Sequence, residues 1–192
     1  LAMAEVEGQV YGASKGQLVV LDNSGKITRT IAVPIDGPAG ISAFTAGKAI
    51  IGDSGNSAVF SIDLKTGQAV KILDLKVTAY GNLRAGDVLR SGTLMSVAYD
   101  GKYVFVAISA GYSSSIFSID PSSNKAVAQT WAPGDAPTAM NFFGGNLYVL
   151  DAASKQIRMY DATLKLNVKP IEIQADDPRG IIIKDNEVRV LS

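Results

Sequence analysis

Four aspartates, each ending a short run of alternating apolar residues, recur along this chain at Asp22, Asp63, Asp120 and Asp161. The intervals between them are 41, 57 and 41 residues. Around two of them the likeness is continuous: AIIGDSGNSAVFSIDLKTGQAVKILDL (49–75) aligns with LYVLDAASKQIRMYDATLKLNVKPIEI (147–173), placing Asp53 and Asp151 each ten residues ahead of Asp63 and Asp161. A third copy runs from 103 to 131, and a shorter fourth opens at residue 9. A repeat of this length is one supersecondary unit that cannot bury its apolar faces alone, so the chain must stack several of them. The long middle interval is the same repeat carrying an insertion.

Within each copy, runs rich in Val, Ile, Tyr and Phe alternate with turns of Gly, Asn, Asp, Ser and Lys, the pattern of antiparallel hairpins. A further short strand with a Pro or Gly lead-in precedes each copy: PAGISAF (38–44), GTLMSVAY (92–99), PTAMNFF (137–143) and PRGIII (178–183). One unit is thus four strands, and four-stranded units repeated every 40 to 50 residues are the blades of a β-propeller. The expected fold is all-β: a part-blade at 9–33, blades at 38–75, 92–131 and 137–173, and a part-blade at 178–192, with the insertion at 76–91. Closure into four blades, one built from both termini, avoids an exposed sheet edge. The alternatives are a portion of a larger propeller, or a homodimer in which two chains complete each other's part-blades.

Composition removes whole classes of chemistry. The chain has 192 residues, enough for a sizeable core, and contains neither cysteine nor histidine. Disulfides, thiolate or imidazole metal sites and every Ser-His or Cys-His catalytic pair are therefore excluded. Its 18 basic residues balance 18 acidic ones, so no global field draws in nucleic acid. No apolar run reaches the length of a transmembrane segment.

The stretch from Ala107 to Asp161 resembles the YVTN-type β-propeller repeat. Tyr148-Val149 matches that family's tyrosine-valine pair, Ile119-Asp120 its isoleucine-aspartate, and Gly134 with Pro137 its G-x-x-P, although Tyr148-Val149-Leu150-Asp151 stands where the tetrapeptide itself would be. The resemblance runs over nearly the whole chain. It implies a propeller and an extracellular, cell-surface or periplasmic location, as in surface-layer proteins.

GDSG at 52–55 repeats the letters around the nucleophilic serine of chymotrypsin-like proteases, but Ser54 falls in the turn between second and third strands and has no histidine base. In a propeller that turn shares a rim with the connections between blades, which gathers Asp53, Asp135, Asp151, Asp176 and Asp177 on one side. Asp53 and Asp151 are the pair that calcium, an oxygen-seeking ion, would use; turn formation is the competing role. The insertion projects from the same rim and carries Tyr80, Arg84 and Arg90, with Tyr112 in a neighbouring turn. These are residue types that anchor interfaces. Trp131 is expected to pack between blades, and Asn141 to lie on an innermost strand near the axis.

The expected function is non-catalytic: a binding or scaffolding propeller that recognises a protein or an extracellular polymer through Tyr80, Arg84, Arg90 and Tyr112. The alternatives are a carboxylate-based hydrolase or lyase using Asp53 with Asp151, and a structural subdomain of a larger surface protein.

Overall fold

Short β-branched and aromatic runs, cut by glycine and small polar residues, become strands in the computed structural model of the protein, which describes residues 2–81, 86–111, 113–132, 136–184 and 187–192. The first sheet contains β1 (Ala2–Val6), β2 (Gln9–Ser14), β3 (Gln17–Leu21) and β4 (Ile27–Ala32). The second contains β5 (Pro38–Ala43), β6 (Lys48–Asp53), β7 (Ala58–Asp63) and β8 (Ala69–Asp74). A one-and-a-half-turn helix, α1 (Gly86–Ser91), precedes the third sheet of β9 (Thr93–Tyr99), β10 (Val104–Ser109), β11 (Ser114–Asp120) and β12 (Lys125–Ala132). The fourth contains β13 (Pro137–Phe143), β14 (Asn146–Asp151), β15 (Gln156–Asp161) and β16 (Ile171–Glu172), and a last hairpin follows as β17 (Gly180–Lys184) and β18 (Glu187–Leu191). Each sheet is an antiparallel meander in chain order, so the protein is a four-bladed β-propeller with an added hairpin.

That hairpin joins the first blade, giving one six-stranded sheet in the order β18-β17-β1-β2-β3-β4. Both ends of the chain thus meet in one sheet. The first unit, however, begins earlier than residue 9: β1 pairs antiparallel with β2 from Ala2↔Ala13 to Val6↔Gln9 and completes the first blade. Its AMAEV sequence lacks the β-branched, aromatic run that marks the other strands, and its pairing rests on tertiary burial of Ala4 and Val6. Glu7 and Gly8, at φ 52° and 79°, form the tight hairpin turn that sets the register.

Alternation puts apolar residues on both faces of the blades, and each inter-blade space becomes a separate core. Ala4, Val6, Tyr11, Leu18 and Val20 of the first blade meet Ile41, Ile51 and Ile62 of the second. Ile50, Val59 and Leu73 on the opposite face of the second blade meet Val97, Val106, Phe117 and Ile119 of the third. Phe105 and Ile116 then meet Met140, Val149 and Tyr160 of the fourth. Phe105 stacks on Phe142 there, ring centroids 5.6 Å apart and planes within 8°. Finally Leu150 and Ile157 meet Ile181, Ile183, Val188 and Val190 of the hairpin.

The innermost strands run close together around the axis. Gly40 in β5, at φ 148°, lies so near β9 that a Cβ would sit 2.7 Å from Val97 N and 2.8 Å from Ser96 Cα. Ser96 Oγ, buried on β9, donates to Pro137 O of β13 at 2.9 Å. Asn141 Nδ2 on β13 donates to Ile181 O of β17 at 3.3 Å, which gives this inner-strand asparagine a structural bond. The ring then closes where β17 meets β1 in a single parallel bridge, Met3↔Gly180. Trp131, expected between blades, is instead 54% exposed on the outermost strand of its blade, where no following sheet covers it.

Replacing Gly40 by alanine should force β5 and β9 apart and lower stability by about 1–3 kcal/mol, the range for overpacking a close contact. Denaturant unfolding with an unchanged m-value would confirm that; a midpoint equal to wild type would remove Gly40 from the account.

Candidate functional site

The four repeat aspartates explain themselves at the rim where third and fourth strands connect. Asp22 Oδ1 accepts from Ser24 N, Ser24 Oγ and Lys26 N. Asp63 Oδ1 accepts from Lys65 N, Thr66 N and Thr66 Oγ1. Asp120 takes Ser122 N and Ser122 Oγ on one oxygen and Ser123 Oγ on the other. Asp161 repeats the first pattern with Thr163 and Lys165. Each carboxylate replaces the missing carbonyl partners of a tight turn. These donors hold all four carboxyls below the ordinary carboxylate range: the Ser or Thr hydroxyl leads at Asp22, Asp120 and Asp161, and the Thr66 amide leads at Asp63.

At the opposite rim the turn between second and third strands meets the connection between blades: Ser54 N donates to Gly37 O at 2.7 Å, and Ala152 N to Ala136 O at 3.0 Å. Ser54 Oγ donates to the same Gly37 carbonyl at 3.0 Å, so this serine serves the turn. Asp53, fully buried, holds the rim together at the second blade. Its Oδ1 accepts from Gly37 N at 2.9 Å and Gly55 N at 3.0 Å; its Oδ2 accepts from Asp36 N at 3.2 Å and Asn56 Nδ2 at 2.6 Å. Burial pushes this carboxyl up, but the Asn56 side chain and the amides of Gly37, Asp36 and Asn56 together outweigh it, and the net shift is downward. Asp151 occupies the matching position of the fourth blade, also buried, and accepts from Ala153 N and Ser154 N. The third blade stands between the two. Asp135 lies outside the described residues, and Asp176 and Asp177 are exposed beside Lys155 and Arg179. Among the described residues no group of three or more acidic side chains gathers as a metal cage would require.

The insertion behaves differently from a loop projecting into solvent. Its first residues are stitched to the third blade, with Ala79 N donating to Asn124 O at 3.0 Å and Ala126 N to Ala79 O at 2.7 Å. Asn124 Nδ2 reaches Asp74 O at 3.1 Å, and the buried Thr78 hydroxyl lies 3.0 Å from Asn124 Oδ1. Leu75 before it and Leu89 within α1 are buried in the second inter-blade core. Tyr80 packs half-buried against that core, and the exposed Arg90 guanidinium sits 4.7 Å from its ring centroid in a cation-π contact. Gly92 returns the chain against Ile108 and Ser109, at the end of β10. Arg84 and Tyr112 themselves lie outside the described residues.

A cleft of about 1320 Å³ lies elsewhere, between the first blade and the β17–β18 hairpin. Sequence reading missed it, since no local pattern records which blade face goes uncovered. Around the axis, Met3, Ile41, Thr138 and Met140 fill the space that a wider propeller leaves open.

No protein-family model matches the sequence, and no curated protein sequence matches it. Solved structures do resemble it in fold. Virginiamycin B lyase from Staphylococcus aureus is 16% identical, with a TM-score of 0.50 over 94% of this chain and 58% of that one. A nidogen/laminin complex gives 14% identity and a TM-score of 0.57, covering 91% of this chain and 63% of that one. The computationally designed Ika8 protein gives 16% identity and a TM-score of 0.55, covering 98% and 54%. The chain therefore spans between about half and just under two thirds of the length of these structures. Identities this low establish the fold, which hosts many unrelated functions. No helix among the described residues is long and apolar enough to cross a membrane.

Two outcomes follow for the rim aspartates. Asp53→Asn leaves amide donors facing a weaker acceptor and should lower stability by about 1–3 kcal/mol; an unchanged unfolding midpoint would contradict the assigned role. Because Asp22, Asp53, Asp63, Asp120 and Asp161 all have depressed pKa values in the folded state, the unfolded chain binds more protons under acidic conditions. Their contribution is complete above the unfolded carboxylate value of about 4 and is lost as pH falls through the folded values. Thermal melts should thus hold steady above about pH 5 and fall progressively below about pH 4.

Proposed function

We propose that this protein is a non-catalytic binding or scaffolding propeller of the YVTN type, working outside the cytoplasm and recognising a protein or an extracellular polymer through the rim of its second and third blades. The observation that carries the reading is the anchoring of the insertion. Leu75, Thr78 and Leu89 fix it to the third blade, and the fixed segment presents an aromatic ring with a guanidinium over its face. A preorganised Tyr-Arg pair is the kind of anchor that loses little conformational freedom on binding. Arg84 of the insertion and Tyr112, between β10 and β11 in sequence, are the remaining candidates and lie outside the described residues. The rim carboxylates Asp53 and Asp151 serve their own turns, which favours binding over acid-base chemistry at that pair.

The test is a panel of extracellular proteins and polysaccharides presented to the immobilised chain, with affinities measured for whichever member binds. Arg90→Ala, which removes an exposed side chain, and the Tyr80→Ala/Arg90→Ala pair should each weaken that binding, the pair by about 2 kcal/mol or more, roughly thirtyfold. Affinity that survives both variants would move the site away from this rim.

A further inference from the structure

The turns that join third to fourth strands each contain one residue with a left-handed backbone, placed directly before Lys26, Gln68, Lys125 or Lys165. In the first and second blades it is glycine, Gly25 at φ 81° and Gly67 at φ 76°. In the fourth it is Leu164 at φ 65°, whose side chain is buried in the core. The third blade uses Asn124 at φ 49°. Asparagine tolerates this conformation, and of the four positions only this one carries a polar side chain. Its hydrogen bonds leave the turn. Nδ2 donates to Asp74 O at 3.1 Å, and Oδ1 lies 3.0 Å from the hydroxyl of Thr78, which is fully buried and also 2.9 Å from Asp74 O. The Asn124 carbonyl accepts from Ala79 N, and Ala79 O accepts from Ala126 N, a parallel bridge that lays the start of the insertion along β12. Tyr80 follows directly, between this bridge and Gly81 at φ 53°.

We propose that Asn124 is a positioning residue for the Tyr80–Arg90 pair: its side chain latches the insertion to the third blade and so fixes where the tyrosine ring presents its face. This rests on the reading of that pair as the binding anchor. Glycine would suit the left-handed backbone at least as well, as it does in two sibling turns, so asparagine here is explained by what its side chain reaches. The backbone bridge holds the insertion at Ala79, a point about which a strand end can swivel. The side-chain contacts to Asp74 and Thr78 hold the preceding residues as well and set the direction in which the chain enters Tyr80. The ring then lies half-buried against the core that holds Leu75 and Leu89, and Arg90 arrives from α1 with its guanidinium 4.7 Å from the centroid. Because the two side chains come from separate segments, a small displacement at Ala79 parts them. A binding surface with its geometry set in advance loses less conformational freedom when it binds.

The experiment compares the 192-residue protein with its Asn124→Gly variant by NMR, with no partner added. Glycine keeps the turn and both backbone bonds of Ala79, and it relieves the left-handed backbone as the side-chain bonds are lost. The expected result is an unfolding midpoint close to the original and an Ala79 amide that exchanges about tenfold faster, as the loss of two hydrogen bonds implies. The upfield ring-current shift that Tyr80 imposes on the Arg90 side chain should disappear with it. Thr78→Val, which removes the hydroxyl at the other end of the contact, should move the same resonances in the same direction. Arg90 resonances that stay in place in both variants overturn the proposal. So does a general loss of protection that extends to the amides of β10, since Asn124 would then serve the fold and not the pair. For a panel member whose binding the Tyr80→Ala/Arg90→Ala pair weakens, Asn124→Gly should weaken it about threefold or more with both anchors still present; unchanged affinity overturns the positioning role. A panel in which nothing binds counts against the rim reading alone, and the Arg90 resonances still decide the role of Asn124.

Discussion

A sheet that is apolar on both faces cannot stand alone in water, and almost everything in this protein follows from that condition. Burying one aliphatic side chain is worth about 1.5–3 kcal/mol, and each inter-blade core here gathers several residues from each side. No blade owns a core. The second, third and fourth each hold half of two, so they are stabilised only in company, and a ring is the arrangement that gives the most faces a neighbour. The close approach of Gly40 to Ser96 and Val97 serves the same condition, drawing the inner strands together until side chains fill the axis.

The aspartates solve the other difficulty of a repeated meander, which is to turn the chain many times without leaving amides unpaired. A carboxylate that accepts two or three hydrogen bonds within its own turn is a compact substitute for backbone partners. Asp22, Asp63, Asp120 and Asp161 do this at one rim; Asp53 and Asp151 do it, buried, at the other. Asp53 goes further and binds amides from both the turn of its blade and the connection that enters it. A residue type that also serves catalysis and metal binding elsewhere is here engaged in shaping turns.

The periodic part of the fold was legible because it is written repeatedly: the spacing of the four aspartates, the alternation of β7 and β15, and the Pro or Gly at the start of β5, β9, β13 and β17. What escaped reading was written once or nowhere. AMAEV lacks strand composition and becomes β1 only because Ala4 and Val6 find a core. Trp131 looked like a core residue by type, but type cannot say that it sits on the last strand of a blade. In the insertion, Thr78 and Asn124 are 46 residues apart in sequence, and their contact is a product of the ring. The cleft beside the first blade is likewise an absence of covering, which no string of letters encodes. Rim placement of Asp53 was readable; its engagement with Asp36 and Gly37 was not.

The seam between β17 and β1 has a consequence for how the whole molecule comes apart. A ring whose last joint is one parallel bridge, Met3↔Gly180, beside an unfilled space is close, in its energetics, to a linear array of units coupled to their nearest neighbours. Such an array frays from its ends inward. Thermal opening would spread in two directions from the seam, through the hairpin toward the fourth blade and through the first blade toward the second. The third blade, coupled on both sides and further tied to the second by the insertion, would be the last to yield.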